Sequence, residues 1–244
     1  MKLNPNTLPS LASNSIVIGV LLAFVGGYLD AYTFVSRDGV FANAQTGNVV
    51  LLSIKIAQGE WGQSFIYLPP ILAFILGVLT YEIVKIPKLS KVIYSTRRSI
   101  LLIECLLLIV VGVLPSGTPN IIVTTSISFV SSLQISTFNK LEKWPYNSTM
   151  TTGNLRTVIQ SGYKSFVEQD QESKQQFINF TLIVLSFITG ALSGTFLTIY
   201  IGNVSICLTS VVLFITLVLY HREKGYFKKK NHSKNKRSYY NINN

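Results

Sequence analysis

Long apolar runs separated by short polar segments dominate the chain between residues 15 and 222. Several of these runs carry no charged residue, and each approaches or exceeds the ~17–25 residues that a helix needs to cross a bilayer. The last run is long enough for two crossings, and Gly202-Asn203 is the expected tight turn between them. The pattern predicts an all-α membrane protein with about six transmembrane helices, over residues 15–36, 64–86, 98–115, 119–139, 175–200 and 203–221.

Composition agrees with this pattern. Apolar residues make up 48% of the chain and charged residues only 13%, whereas ordinary soluble domains carry about 25% charged residues. The sequence has no nucleotide-binding loop, no metal-ligand spacing and no nucleophile–histidine arrangement. We therefore expect no enzyme activity, no cofactor and no metal. The two cysteines, Cys105 and Cys207, are expected to be packing residues inside helices.

The net charge of +11 is unevenly distributed along the chain. If the N-terminus is cytoplasmic, all but two of the 21 Lys and Arg residues fall on cytoplasmic segments, the exceptions being Arg37 and Lys55. This bias predicts that both termini are cytoplasmic. A single transmembrane domain, residues 15–222, then lies between an N-terminal tail, 1–14, and a basic tail, 223–244. We expect the basic tail to be disordered and to lie near anionic lipid, and we expect no nucleic-acid partner.

The chain also contains an internal repeat. The tripeptide Thr46-Gly47-Asn48 returns 106 positions later as Thr152-Gly153-Asn154. Other landmarks recur in the same order, namely Phe24-Val25 as Phe129-Val130 and Phe74-Ile75-x-Gly77 as Phe187-Ile188-x-Gly190. This pattern predicts two copies of one three-helix unit, at about residues 15–115 and 119–222. Because three crossings are an odd number, the second copy enters the membrane from the opposite side, as in transporters with inverted repeats.

A short stretch with helical character follows each tripeptide, and neither stretch is long enough to span. The Thr or Asn of each motif is the expected N-cap of a half-helix that starts after a Thr-Gly-Asn turn. If these half-helices are re-entrant, the two motifs line a polar cavity at membrane depth. The alternative is a surface loop followed by an amphipathic helix at the interface.

Candidate binding residues lie on the first predicted helix. Its small residues, including Gly26 and Gly27, share a face with Asp30, so the carboxylate is expected to point into the bundle. A buried carboxylate in a membrane is costly unless it is paired, hydrated or protonated. Asp30 is therefore the first candidate for binding a proton or a cationic group. The alternative is an aspartate near the interface that pairs with Arg37.

The fourth predicted helix is unusually rich in Ser and Thr, and its Gln134 aligns with Asp30 between the repeats. Its polar groups either bridge helices or line a hydrated path. Glu104 is a second intramembrane carboxylate that could extend toward the arginines at the start of its helix. In the fifth predicted helix, Gly190 and Gly194 form a small-residue packing face.

Three blocks of the chain resemble the YoaK-like family of bacterial membrane proteins, a domain-of-unknown-function family. The blocks are Gly26-Gly27-Tyr28-Leu29-Asp30-Ala31, Phe41-Ala42-Asn43-x-x-Thr46-Gly47-Asn48 and Thr151-Thr152-Gly153-Asn154-Leu155. The resemblance covers about residues 12–222 and implies a bacterial inner membrane, about six helices and a transporter whose substrate is not established. The chain departs from the family pattern at residues 131–134, which leaves the polar contacts of that helix open.

Together these features favour a secondary transporter of a small polar metabolite, with proton coupling through Asp30. The alternatives are a non-transporting scaffold or sensor and an uncoupled channel. A bundle of this size is expected to form a homodimer. The expected contacts for the solute or ion are Asp30, Gly26, Gly27, Asn43, Thr46, Gly47, Asn48, Gln134, Thr152, Gly153 and Asn154.

Overall fold

The computed structural model describes residues 15–86, 96–115 and 117–222. The helices are α1 (Ile16–Ser36), α2 (Gln45–Ala57), α3 (Leu68–Val84), α4 (Thr96–Val113), α5 (Asn120–Thr137), α6 (Thr151–Val167), α7 (Gln171–Ile201) and α8 (207–222). A helical turn, Trp61–Ser64, and a 3-10 turn, Phe65–Tyr67, lead into α3. The predictions for residues 1–14 and 223–244 lie outside the described residues.

The six predicted crossings correspond to α1, α3, α4, α5, α7 and α8. Among the described residues, the segments long and apolar enough to span a membrane are Ile16–Ser36, Trp61–Val84 and Gln171–Arg222. The last is 52 residues long and is interrupted at Gly202, whose φ of 66° and following 3-10 turn mark the predicted break.

The helices α4 and α5 are each 18 residues long but are not among these segments. In α4 the cause is Arg97, Arg98 and Glu104. In α5 it is the row of hydroxyl side chains, most of which are buried against other helices. Both helices are therefore recognised by length and packing more readily than by hydropathy.

Close backbone contact joins α1 to α7. A Cβ atom on Gly190 would collide with the carbonyl oxygen of Phe24, and one on Gly194 would lie 2.7 Å from the carbonyl oxygen of Tyr28. The Ser186 hydroxyl also donates to the carbonyl of Val20 over 2.7 Å. Because the contacts advance together along both helices, α1 and α7 run parallel. The predicted packing face of Gly190 and Gly194 is confirmed.

A matching contact joins α3 to α5. A Cβ atom on Gly77 would lie 2.6 Å from the carbonyl oxygen of Phe129 and would collide with the Ser132 side chain. Gly77 is the repeat counterpart of Gly190, and Phe129 is the counterpart of Phe24. The same glycine-on-carbonyl contact therefore occurs twice, between corresponding residues of the two halves.

Two further helices, α4 and α8, pack in opposite directions. The Cys105 thiol donates to the carbonyl of Ser210 over 3.3 Å, and Gly112 packs against Cys207 further along α4. Both cysteines are free thiols, as expected of packing residues. The main core lies between α1, α4, α5 and α8, and its largest fully buried side chains include Tyr28, Tyr32 and Tyr220.

The segment between α5 and α6 contains a feature that the hydrophobic pattern did not indicate. Lys140–Leu141 pairs antiparallel with Trp144–Pro145 in a β-hairpin whose strands are each two residues long. The next residue, Tyr146, donates its hydroxyl to the carbonyl of Gly19 on α1 over 2.6 Å. The hairpin therefore ties the start of the second motif to the first helix.

The start of α7 is defined by a side-chain cap. Asp170 accepts hydrogen bonds from the backbone N–H groups of Glu172 and Ser173, over 3.3 and 2.9 Å. These bonds satisfy donors that lack an intrahelical partner. Hydrogen bonds from Ser173 also hold the pKa of Asp170 below its usual value. The cap fixes where α7 begins, immediately after α6.

Replacing Gly190 by Ala should destabilise the protein because the new methyl group meets the Phe24 carbonyl and the helices must separate. We expect a loss of about 1–3 kcal/mol, the usual range for overpacking. Thermal unfolding of the purified protein measures it. Gly62→Ala is the matched control, since a Cβ atom there has no neighbour within 4 Å. Equal melting temperatures for the two variants would contradict the close contact.

Candidate functional site: a cavity shared by the two halves

A cavity of about 560 Å³ lies where the two halves meet. Its wall combines one face of α1, the residues around the starts of α2 and α6, and parts of α3 and α7. The lining residues are Gly27, Asp30, Ala31, Phe34, Val35, Phe41, Asn43, Ala44, Gln45, Thr46, Phe74, Asn147, Thr149, Met150, Thr151, Thr152, Phe187, Ala191 and Thr195.

Corresponding residues of the two repeats line this cavity. The segment 43–46 and its counterpart, 149–152, contribute all four of their residues, and these include the threonines of both Thr-Gly-Asn motifs. Phe74 and its counterpart Phe187 face it from α3 and α7. The two repeated sequences thus meet at one place in the fold.

The Asp30 carboxylate holds the first of these segments in place. Its Oδ1 accepts hydrogen bonds from the backbone N–H groups of Asn43 at 2.7 Å and Ala44 at 3.3 Å. Asp30 is only 6% exposed and yet belongs to the cavity wall. The carboxylate therefore both fixes the approach to α2 and faces the cavity.

Arg37 does not pair with Asp30, so this alternative is wrong. Its guanidinium donates to the Tyr32 hydroxyl at 3.0 Å and to the Asn120 side chain at 2.9 Å. These contacts tie the end of α1 to the start of α5. Asp30 therefore has no ion-pair partner among residues 15–86, 96–115 and 117–222.

Gly26 is the point at which both segments contact α1. The Asn43 side chain donates to the Gly26 carbonyl over 3.2 Å. A Cβ atom on Gly26 would lie 2.8 Å from the Thr149 side chain and 2.9 Å from the Ser148 carbonyl oxygen. A glycine is required here because the second segment lies directly against the helix.

The motif asparagines bond to backbone near their own segments and do not line the cavity. Asn48 donates to the carbonyl of Phe41 over 2.8 Å and accepts from its N–H over 2.9 Å. Asn154 donates to the carbonyl of Asn147 over 2.8 Å. Each bond spans seven residues, so the two motifs form the same side-chain clasp.

The predicted N-caps are wrong. The helices α2 and α6 begin at Gln45 and Thr151, with Ala44 and Met150 at the cap positions, so each tripeptide lies within a first helical turn. The motif asparagines bond to Phe41 and Asn147, which precede the two helices, and not to the free N–H groups at the helix starts. Gly47 packs against the Phe41 ring, whereas Gly153 has no heavy atom within 4 Å of its Cβ position. Neither glycine lines the cavity.

Gln134 belongs to a second polar cluster. Its side-chain amide donates to Glu104 over 2.9 Å, and its oxygen accepts a long hydrogen bond of 3.4 Å from Ser148. Glu104 is fully buried and therefore does not extend to the helix start. These two hydrogen bonds join α4, α5 and Ser148, which precedes the second segment. None of the three residues lines the cavity.

Asp30 is the one ionisable side chain among the cavity residues that the structure describes. The rest of the wall offers threonine hydroxyls, amide groups and four phenylalanine rings, Phe34, Phe41, Phe74 and Phe187. The described residues hold no group of three or more His, Cys, Asp or Glu side chains suited to a metal. The wall can bind hydrogen-bonding groups, one positive charge and an apolar body.

Several cavity residues were not among the predicted ones, in particular Phe74, Phe187, Asn147, Thr149 and Thr195. The repeat itself carried a signal for four of them. Thr149 aligns with Asn43, Asn147 aligns with Phe41, and the two phenylalanines belong to one recurring block. Thr195 lies outside the repeated blocks, and its place in the wall depends on the packing of α7 on α1.

Comparison with known proteins agrees with the helical architecture. The chain is 25% identical over 178 residues to the UPF0700 transmembrane protein YoaK of Bacillus subtilis (strain 168), across 70% of this chain and 79% of that protein. With its long apolar helices, the chain is an all-α membrane protein. A family model described as "Protein of unknown function (DUF1275)" matches residues 18–219, and the chain belongs to that family. The YoaK-like resemblance is thereby confirmed. No solved structure matches the chain.

Replacing Asn154 by Asp should loosen the second segment, because a carboxylate cannot donate to the Asn147 carbonyl and would repel it. We expect a loss of about 1–3 kcal/mol, the usual cost of leaving a buried polar group without its partner. Thermal unfolding provides the measurement. Asn139→Asp, at an exposed position, is the control. If the two variants have the same melting temperature, the clasp does not stabilise the fold.

Proposed function

We propose that the protein is a secondary transporter of a small polar metabolite, with the cavity between the halves as the solute site. The observation that supports this is the meeting of both repeated segments at one cavity that contains a buried carboxylate. Substrate sites of transporters built from repeats lie at the repeat interface, near irregular backbone and helix starts.

An inverted arrangement of the repeats is part of this proposal. The parallel course of α1 and α7 and the antiparallel course of α4 and α8 agree with six helices that cross in alternating directions. Three crossings per repeat then invert the second half relative to the first. The duplicated contacts of Gly77 and Gly190 support two equivalent helix pairs, which rock against each other to open the cavity to either side.

The short helices α2 and α6 flank the cavity in this proposal. Their motif threonines face it, while apolar side chains on their outer faces are exposed, including Val50 on α2 and Ile159 and Phe166 on α6. An exposed apolar stripe on a short helix suits contact with lipid. The helices therefore combine a lipid-facing side with a cavity-facing end.

Asp30 is proposed to bind the coupling proton or a cationic group of the solute. The cavity wall has no basic side chain among its described residues, so an anionic solute would meet an unfavourable field. Thr46, Thr152 and Asn43 line the wall and are proposed to bind polar groups of the solute. The phenylalanine rings suit an apolar part or a cation. A neutral or cationic metabolite fits this wall best.

We place the transporter in the bacterial plasma membrane with both termini cytoplasmic, on the basis of the charge bias. A homodimer and contact of the basic tail with anionic lipid remain predictions. No enzymatic step and no cofactor are part of the mechanism. The remaining motif residues, Gly47, Asn48, Gly153 and Asn154, position the cavity segments rather than contact the solute.

Replacing Asp30 by Asn should abolish coupled uptake, because an amide can neither bind the proton nor attract a cation. A thermal-shift screen against metabolite pools first identifies a ligand, since a bound ligand raises stability. Uptake of that ligand is then measured in proteoliposomes. Glu60→Gln is the control, because that carboxylate pairs with Lys55 outside the cavity. Unchanged uptake by Asp30→Asn would remove Asp30 from the mechanism.

Deleting the residues after Gly225 separates a transporter from a scaffold. We expect uptake to survive, because the cavity residues lie within 27–195. A scaffold or sensor that recruits its partner through the basic tail would instead lose that partner in a pull-down from membranes. Solute flux without saturation or coupling, measured in the same liposomes, would identify a channel.

A further inference from the structure

A groove with a volume of about 430 Å³ lies between α4, near Arg98, and α8, near Arg222. Its polar end contains Arg98 and Ser99 from α4 and His221 and Arg222 from α8. Leu102 and Val218 continue the wall from the polar end along the two helices. This groove shares no residue with the cavity between the halves.

The polar end concentrates positive charge. Two arginines and a histidine line it, and no carboxylate is among its described lining residues. The Nε atom of Arg98 is buried and has no hydrogen-bond partner in the part of the chain that the structure describes. The first turn of α4 adds the positive end of a helix dipole. An anion with several oxygen acceptors would satisfy these groups and relieve their repulsion.

The apolar end opens outward from the bundle. Leu102 is 45% exposed and Val218 is 41% exposed. On helices that cross a membrane, exposed apolar side chains face lipid tails. A free anion would use only the polar end, whereas an amphiphile with an anionic head would fill both.

We propose that this groove binds an anionic phospholipid, with the headgroup phosphate between Arg98 and Arg222 and an acyl chain along Leu102 and Val218. Basic pockets between transmembrane helices on the cytoplasmic side suit anionic headgroups. The charge bias of the chain assigns this end of α4 and α8 to the cytoplasm. The site is built from the helices themselves and is independent of the basic tail and of transport.

The test uses the full-length protein, purified in detergent and stripped of lipid. Its melting temperature is followed during titration with phosphatidylglycerol, phosphatidylcholine or glycerol 3-phosphate. We expect stabilisation by phosphatidylglycerol alone. Equal stabilisation by phosphatidylcholine would overturn the proposal, because it would show that binding does not require an anionic headgroup. Equal stabilisation by glycerol 3-phosphate would also overturn it, because it would show that binding does not require an acyl chain.

Substitutions of the groove arginines test whether phosphatidylglycerol binds at this site. Arg98→Gln with Arg222→Gln should weaken the apparent affinity for phosphatidylglycerol about tenfold or more, at about 1 kcal/mol per basic residue near a membrane surface. Lys174→Gln, at an exposed position, should leave the affinity unchanged. Arg222→Gln alone, an exposed residue at the end of α8, covers the case in which the double variant does not fold. Wild-type affinity in Arg222→Gln would overturn the assignment.

Discussion

Two helix pairs, α1 with α7 and α3 with α5, pack unusually closely. In each pair, a backbone carbonyl of one helix lies where a Cβ atom of the other helix would be. Gly190 makes this contact with Phe24, and Gly77 makes it with Phe129. In a bilayer, where apolar burial does not drive helix association, such close packing is a principal source of stability. The positions of α1 against α7 and of α3 against α5 follow from these glycines, and the cavity lies between the two pairs.

Polar contacts then fix the irregular segments against this scaffold. Asp30 binds the segment before α2, Gly26 leaves room for the segment before α6, and the asparagines Asn48 and Asn154 close each segment on itself. Buried backbone outside regular helices needs such partners for its N–H and carbonyl groups. The same residues that satisfy the backbone therefore bring the two segments to one cavity.

Apolar length was sufficient to predict the segments Ile16–Ser36, Trp61–Val84 and Gln171–Arg222. The spacing of small residues predicted the packing face of Gly190 and Gly194. The sequence also identified Asp30 and the two motif threonines, which line the cavity. It failed for the N-caps, because an asparagine at this spacing suits either a cap or a clasp across seven residues. It also could not assign the partner of Gln134, which depends on how α4 and α5 pack.

A shared cavity requires that the two motif threonines face it from opposite halves of the protein. Thr46→Cys and Thr152→Cys, combined in a chain with Cys105 and Cys207 replaced by Ser, test this by cross-linking with a short bifunctional thiol reagent in intact membranes. We expect a cross-link within one chain, and none when Thr46→Cys is paired with Lys143→Cys. If both motif cysteines instead react freely with an impermeant reagent from the same side and do not cross-link, the shared cavity is contradicted.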